Sequence, residues 1–352
     1  IDLAKGNPDA FPADFIRDVA KQAVDDPANA RYSPFDGKPS FLQAAEHWYR
    51  NTYDVDLDWR TQLFAVEGAV DGLAALFAVL VSEGDAVAYA DPYYPSYHCM
   101  TLMSRAEEIL LPSLAERGFL PDLDAVPGET WDRVKVLVLN YPNNPTGAQA
   151  PREFLERAIE LAHEHRFVIV QDFAYAGLGV RNQQISILSL PDAFDVTVEV
   201  CSLSKMYAMA GWRAGFIAGN DDIVSHVKQY HYQMGSMVTG NVQDAGTVAL
   251  QSDQECVAEL ASRYALRRQI VADGLRDAGL DVFDSDGGIY AWVHAPEGLT
   301  GERFADLLLE RAAVAALPGT CFGKVGVDYV RFSLLKSEDQ LREAVRRIAA
   351  VL

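Results

Sequence analysis

The sequence predicts an α/β fold: a mostly parallel central sheet sandwiched by helices, joined to a smaller α/β domain built from both chain ends. Three observations predict it. Short β-branched runs are apolar almost throughout instead of alternating, as strands covered on both faces are. Helical patterns lie between these runs, and strand, helix, strand in succession reads as a parallel sheet. Near residue 255 the order changes to a long helix followed by strand, helix, strand, helix, which sets a second lobe apart.

In chain order, the loop IDLAKGNPDAFP leads to a helix expected over 68–84, a strand over 86–92 (AVAYADP) and a strand over 134–140 (VKVLVLN). PREFLERAIELAHEHR at 151–166 reads as a helix, FVIVQD at 167–172, VTVEVCSLS at 196–204 and RAGFIAG at 213–219 as strands, and 221–237 as a helix. The second lobe reads as a helix over 255–279, the strand GGIYAWV, the helix ERFADLLLERAAV, the strand VDYVRFSLL and the helix EDQLREAVRRIAAVL. No repeat, low-complexity tract or Ser/Gly-rich linker interrupts them. The expected division is 15–254 for the large domain, with 1–14 and 255–352 forming the small one.

Composition narrows the function. A chain of 352 residues, 49% hydrophobic, is ample for one large or two ordinary cores. Thirty basic against fifty acidic side chains give a formal charge of −20, which repels phosphate backbones and argues against nucleic-acid binding. An anionic ligand must then be caught by a few placed arginines, which favours a small molecule in a pocket. No apolar run is long enough to span a bilayer, and the first residues lack the order of a signal peptide. Four scattered cysteines suit neither a zinc site nor a disulfide framework, so no metal is expected and a cytoplasmic location is.

In open α/β sheets, ligands bind at the carboxyl ends of the strands. Four loops there carry unusual groups: Asn143 and Asn144 in YPNNPTG, Asp172 and Tyr175 in DFAY, Ser202, Ser204 and Lys205 after VTVEV, and Arg213 at the start of the next strand. Each alone has a plainer reading as turn chemistry, a cap or a solvated charge. Together they ask for a ligand with an aldehyde for the lysine, an anionic oxygen for the asparagine, a ring cation for the aspartate and a phosphate for the serine and arginine. Pyridoxal 5′-phosphate has all four.

With GNPD at 6–9, RYSPFDG at 31–37, EGAVDGL at 67–73, DPYYPSY at 91–97, NYPNNPTG at 140–147, DFAY at 172–175, SLSK at 202–205, GWR at 211–213 and VRFSLL at 330–335, the chain resembles the fold-type I, aspartate-aminotransferase-like class I/II aminotransferases. The wording SLSKMYAMAGWR is most similar to the alanine and diaminopimelate aminotransferase branch.

The resemblance implies that Lys205 forms a Schiff base with the cofactor and then acts as the base, and that Asp172 pairs with the pyridine nitrogen. Asn144 and Tyr175 donate to the phenolate oxygen, and Tyr94 lies against the ring. The phosphate is met by Ser202, Arg213 and the backbone N–H groups of Ala69 and Val70 at a helix start. Arg331 takes the substrate carboxylate as a bidentate pair, with the Gly6 backbone close by. Tyr32 reaches the phosphate of a neighbouring subunit, so a homodimer with shared sites is expected. Asn144–Pro145 is a candidate cis bond.

The implied activity is ping-pong transfer of an amino group from an L-amino acid to a 2-oxo acid. A lyase, cyclase or oxidase of a specialised amino acid would use the same residues, and a ligand-sensing regulatory domain is a third reading. Phe11, Phe35 and Tyr94 suggest an apolar substrate wall, while Arg31, Arg181 or a partner's arginine could meet a second carboxylate. The preferred substrates are alanine or another neutral amino acid, with 2-oxoglutarate or pyruvate as acceptor.

Overall fold

A computed structural model of the chain describes residues 1–179, 184–234 and 237–352. Its larger sheet has seven strands: β1 (Leu63–Val66), β2 (Ala86–Asp91), β3 (Glu107–Pro112), β4 (Val134–Leu139), β5 (Val168–Phe173), β6 (Thr197–Ser202) and β7 (Gly215–Gly219). Their spatial order is β1-β7-β6-β5-β4-β2-β3. The five strands from β6 to β3 pair in parallel.

Both faces of the sheet are covered, and β4 shows how. Leu137 and Leu139 enter a core with Trp48, Leu155 and Ala245 from the helices Pro39–Tyr53, Arg152–His165 and Gly240–Gln251. The intervening Val136 and Val138 enter a second core with Leu73, Tyr97 and Val224 from the helices Ala69–Leu80, Pro95–Met103 and Asp221–Met234. Alternate side chains of one strand thus serve two apolar layers, which is why the run lacks a polar period.

RAGFIAG departs from the expected strand in two ways. It becomes extended only at Gly215, and β7 runs antiparallel to both β6 and β1. The link from β6 to β7 contains only one turn of α-helix and one of 3-10 helix, Leu203–Met206 and Ala210–Trp212, and provides no crossover helix of the kind that returns a chain to a parallel start. The reversal matters for position, because it brings the beginning of β7 to the edge where β4, β5 and β6 end.

The smaller sheet is antiparallel, ordered β8-β10-β9 from β8 (Tyr290–His294), β9 (Leu317–Pro318) and β10 (Tyr329–Ser333). The helices Glu255–Asp277 and Glu338–Ala349 pack with it, the latter started by a reciprocal Ser337 and Gln340 cap. The segment read as one helix over 302–314 is α-helical over Gly301–Leu307 and widens to a π-turn over Leu308–Ala312. The chain start joins this lobe. Leu3 is buried in its core, its N–H donates to the Ala315 carbonyl at 2.8 Å, and its own carbonyl accepts from the Ser333 N–H at 2.7 Å.

Candidate active site

A cavity of 480 Å³ opens at the carboxyl edge of the large sheet and is closed from the other side by the small lobe and the chain start. Eleven of the twelve residues expected at the site line it, Tyr32 being the exception.

The loop after β4 is braced from within. Asn140 donates from its amide to the Asp172 backbone carbonyl at 2.9 Å and accepts from the Asn144 N–H at 2.9 Å. Asn143 accepts from both the N–H and the hydroxyl of Thr146. Asn144–Pro145 is cis, as are Asp91–Pro92 and Tyr141–Pro142. Gly147 has φ +77°, and a Cβ there would stand 2.7 Å from the Gly287 carbonyl, so the small lobe closes on this turn where no side chain fits.

Asp172 at the end of β5 is buried. It accepts a hydrogen bond from the Tyr97 hydroxyl at 2.6 Å and another from the Ala174 N–H at 3.2 Å. Burial pushes its carboxyl up to about 6 against the pull of these two donors. Three residues on, burial raises the Tyr175 hydroxyl far above its usual range.

At the end of β6, Ser202 caps the short helix Leu203–Met206, its hydroxyl oxygen accepting from the Ser204 N–H at 3.2 Å. Lys205 stands in that turn and donates from Nζ to the Gly6 carbonyl at 2.8 Å. Burial first, then the charges of Arg331 and Arg213, push its amine down to about 8. Gly6 is held close: a Cβ there would fall 2.1 Å from the Tyr290 hydroxyl.

Arg213 adopts a left-handed backbone, φ +55°, ahead of β7. Its guanidinium donates to the Ala210 carbonyl at 3.0 Å and to the Glu67 carbonyl at 2.9 Å. The second bond sets it beside Gly68, where a Cβ would lie 2.6 Å from Nη2, and Gly68 directly precedes the helix Ala69–Leu80. One cation, a serine hydroxyl and a helix N-terminus therefore share one end of the cavity, a combination suited to a phosphate.

Arg331 on β10 is buried with its guanidinium 3.9 Å from the ring centre of Tyr290 and 4.7 Å from that of Phe322. Nη1 donates to the Asn144 side-chain oxygen at 2.8 Å and Nη2 to the Ala4 carbonyl at 2.9 Å, while Nε is buried with no partner among the described residues. An orphaned buried N–H is costly unless a ligand takes it.

Tyr32 is 90% exposed and Phe11 83% exposed. In the single chain neither lines the cavity, nor do Phe35, whose ring packs on Tyr232 at 5.0 Å, and the exposed Arg31. Arg181 lies outside the described residues. Sequence reasoning passed over Asn140, Tyr97 and Tyr290. Asn140 carried the same signal as Asp172, a polar residue ending a buried apolar run; Tyr97 and Tyr290 read as core aromatics. Another cavity, of 550 Å³, lies near Tyr141, Gln171 and Ser285, but among the described residues its lining has no basic side chain for an aldehyde or phosphate.

The profile of the family described as aminotransferase class I and II matches residues 1–348. The L-glutamine–4-(methylsulfanyl)-2-oxobutanoate aminotransferase of Bacillus subtilis (strain 168) is 40% identical over 349 residues, which is 99% of this chain and 88% of that protein. The LL-diaminopimelate aminotransferase of Syntrophobacter fumaroxidans (strain DSM 10017 / MPOB) is 37% identical over 349 residues, 99% of this chain and 90% of its own. The substrate-bound BacF structure from Bacillus subtilis superposes with a TM-score of 0.96 at 33% identity, covering 99% of this chain and 90% of the other.

Proposed function

The chain belongs to the class I and II aminotransferases, enzymes that move an amino group from an amino acid to a 2-oxo acid, and on that premise we propose that its 480 Å³ cavity holds pyridoxal 5′-phosphate on Lys205. The family implies the cofactor, and the residues present fit it. A lysine with a lowered amine pKa, a buried carboxylate, and a helix N-terminus beside Ser202 and Arg213 line one cavity. The observation that carries the reading is the amine of Lys205, pushed down to about 8 within the cavity that Asp172 lines.

When bound, the cofactor supplies an aldehyde carbon and a ring able to accept electrons released at the substrate α-carbon. The protein's own groups do the rest. Asp172, ionised, holds a positive charge opposite it and so keeps a ring N–H protonated. Asn144 has its side-chain oxygen committed to Arg331, which leaves its NH₂ as the donating end toward a phenolate oxygen; Tyr175 is the second donor. Tyr94 provides the aromatic face. Arg331, fixed by Asn144, Ala4 and two rings, offers its unpartnered Nε–H to the substrate α-carboxylate. With that carboxylate fixed and Gly6 leaving room beside it, Lys205 Nζ, once free, would take the α-proton and deliver it across the bridging nitrogen to the former aldehyde carbon of the cofactor.

The relatives' names favour transfer over elimination, cyclisation or oxidation. For the substrate we favour a neutral amino donor, because the lining cations Lys205, Arg213 and Arg331 already serve the cofactor and the α-carboxylate, and the remaining one, Lys5, pairs with Asp2 at 3.4 Å. Glutamine, methionine, alanine and LL-diaminopimelate, each mixed with holoenzyme and followed by cofactor absorbance, test both points. Stoichiometric conversion to the aminated cofactor is expected. Continuous release of pyruvate and ammonia from alanine analogues with a leaving group would instead establish a lyase.

The proposal includes a homodimer in which Tyr32, exposed in the single chain, completes the partner's phosphate site. Mixing Lys205→Ala with Tyr32→Phe then regenerates one intact site per hybrid dimer. A monomer in sedimentation, or no gain on mixing, rejects it. A cytoplasmic location is supported by four free cysteines, and no helix among the described residues is long and apolar enough to cross a membrane.

A further inference from the structure

We infer that Tyr97 is a positioning residue of the amino-transfer site: its hydroxyl binds the Asp172 carboxylate and keeps it ionised and fixed at the cavity wall. The inference rests on the reading that Asp172 faces the cofactor's ring nitrogen.

The geometry is specific. Tyr97 is 2% exposed, and its hydroxyl lies 2.6 Å from Asp172 Oδ2, the length of a hydrogen bond to an ionised acceptor. The other carboxylate oxygen accepts only the longer 3.2 Å bond from the Ala174 N–H. The Tyr97 ring has little freedom. It stands in the first turn of the helix Pro95–Met103, edge-on to Tyr94 at 5.6 Å and to Tyr89 at 5.8 Å, and its carbonyl accepts from the Thr101 hydroxyl at 2.8 Å. One helix start thus brings both the aromatic platform Tyr94 and the donor to Asp172 to the same cavity edge.

The chemistry asks for such a donor. Burial drives Asp172 toward its neutral form, and a neutral carboxyl cannot hold a positive charge opposite it. A hydroxyl that binds the charged form opposes that drift. The other titratable group facing Asp172 is Tyr175 beyond the end of β5, and Tyr94, Lys205, Arg213, Tyr290 and Arg331 line the same cavity, whereas Cys201 on β6 lies on the opposite face with Glu199. Among the described residues, Tyr97 is the side chain bonded to the carboxylate.

Tyr97→Phe keeps the ring and its packing and removes the bond. In apo-protein, the Asp172 carboxyl is followed by carbon-13 NMR and assigned by its loss in Asp172→Asn. Its pKa is expected to rise by about one unit in Tyr97→Phe. In holoenzyme, the acidic limb of the kcat profile should move up in pH by a similar amount, with cofactor retention weakened near pH 6 and little changed at pH 9. Tyr89→Phe is the control. Its hydroxyl binds Glu108 and its ring touches Tyr97, so it perturbs the same packing and should leave both titrations in place. An Asp172 titration that does not move in Tyr97→Phe overturns the inference, and so does a loss of kcat equal at every pH. If Asp172→Asn retains full turnover, the parent reading fails separately, and the apo titration still decides the role of Tyr97.

Discussion

Asp172 and Glu199 are both buried side chains of the central sheet, 4% and 0% exposed, on the parallel neighbours β5 and β6. Burial pushes their carboxyl groups up to about 6 and about 7, and each accepts from a tyrosine hydroxyl. They stand on opposite faces, because the residue across from Glu199 is Gln171, one pleat step from Asp172. On its face Glu199 is surrounded by donors: Tyr49 at 2.7 Å, Ser186 at 2.9 Å and the Ile187 N–H at 2.7 Å. On the cavity face Asp172 has two among the described residues. A saturated carboxylate ties a helix and a loop to the sheet, whereas one with unused acceptor capacity at a cavity wall is available to a ligand. The same burial therefore has two uses, and the donor inventory tells them apart.

Variants on the cavity face test this contrast through chemistry. Lys205→Ala removes the amine altogether and should lower turnover on the order of 10⁴-fold and abolish the absorbance of lysine-bound cofactor, with thermal unfolding little changed. In the unaltered enzyme the amine is pushed down to about 8, so its proton-accepting neutral form grows as pH rises through that value. Steps in which Nζ is free should accelerate accordingly and level off above it. Residual turnover near wild type in Lys205→Ala would remove the site from this cavity.

Asp172→Asn keeps the size and removes the charge. Turnover is expected to fall about 10²–10³-fold, the range found when a placed electrostatic group is lost. Stability should hold or rise slightly, because a buried charge is removed while an acceptor remains for Tyr97. Unfolding that fails alongside activity would make Asp172 a structural tie like Glu199. Arg331→Lys follows, with KM raised about 10–100-fold and cofactor retention unchanged, because a point charge cannot replace a planar fork. Loss of cofactor instead would assign the wrong arginine to the substrate carboxylate.

The sequence made the cavity face far more legible than the far face. β4, β5 and β6 read as strands because their β-branched and apolar residues serve cores on both faces, and at their carboxyl ends the polar residues Asn140, Asp172 and Ser202 stand at the cavity. β1 was too short to register, with four residues, and β3 begins Glu107, Glu108 at an exposed edge, where charge conceals the strand. Tyr97 was hidden among Tyr89, Tyr93 and Tyr94, since only three-dimensional register decides which hydroxyl meets Asp172. Glu199, an acid inside VTVEV, drew no attention, because its donors come from outside the strand, from Tyr49 on a remote helix and from the neighbours Ser186 and Ile187 in a loop.

Glu199→Gln gives the smallest effect and the sharpest test of the contrast, because it should change stability and leave catalysis alone. The amide keeps one acceptor oxygen and turns an NH₂ toward hydroxyls that can rotate to accept, so the cost is about 1–3 kcal/mol from imperfectly paired donors. Its pH dependence has a definite sign. Glu199's folded pKa is raised from 4.5 to about 7, so the folded state binds the extra proton, and this group's contribution is greatest at low pH and declines as pH rises from about 4.5 through about 7. Gln does not titrate. The stability gap between the two proteins, read from urea unfolding, should therefore be wider at pH 5 than at pH 8, while kcat and KM at pH 8 coincide. An equal gap at both pH values would mean that Glu199 is ionised in the fold throughout, and a drop in kcat would mean that the far face reaches the chemistry through β6 and Lys205.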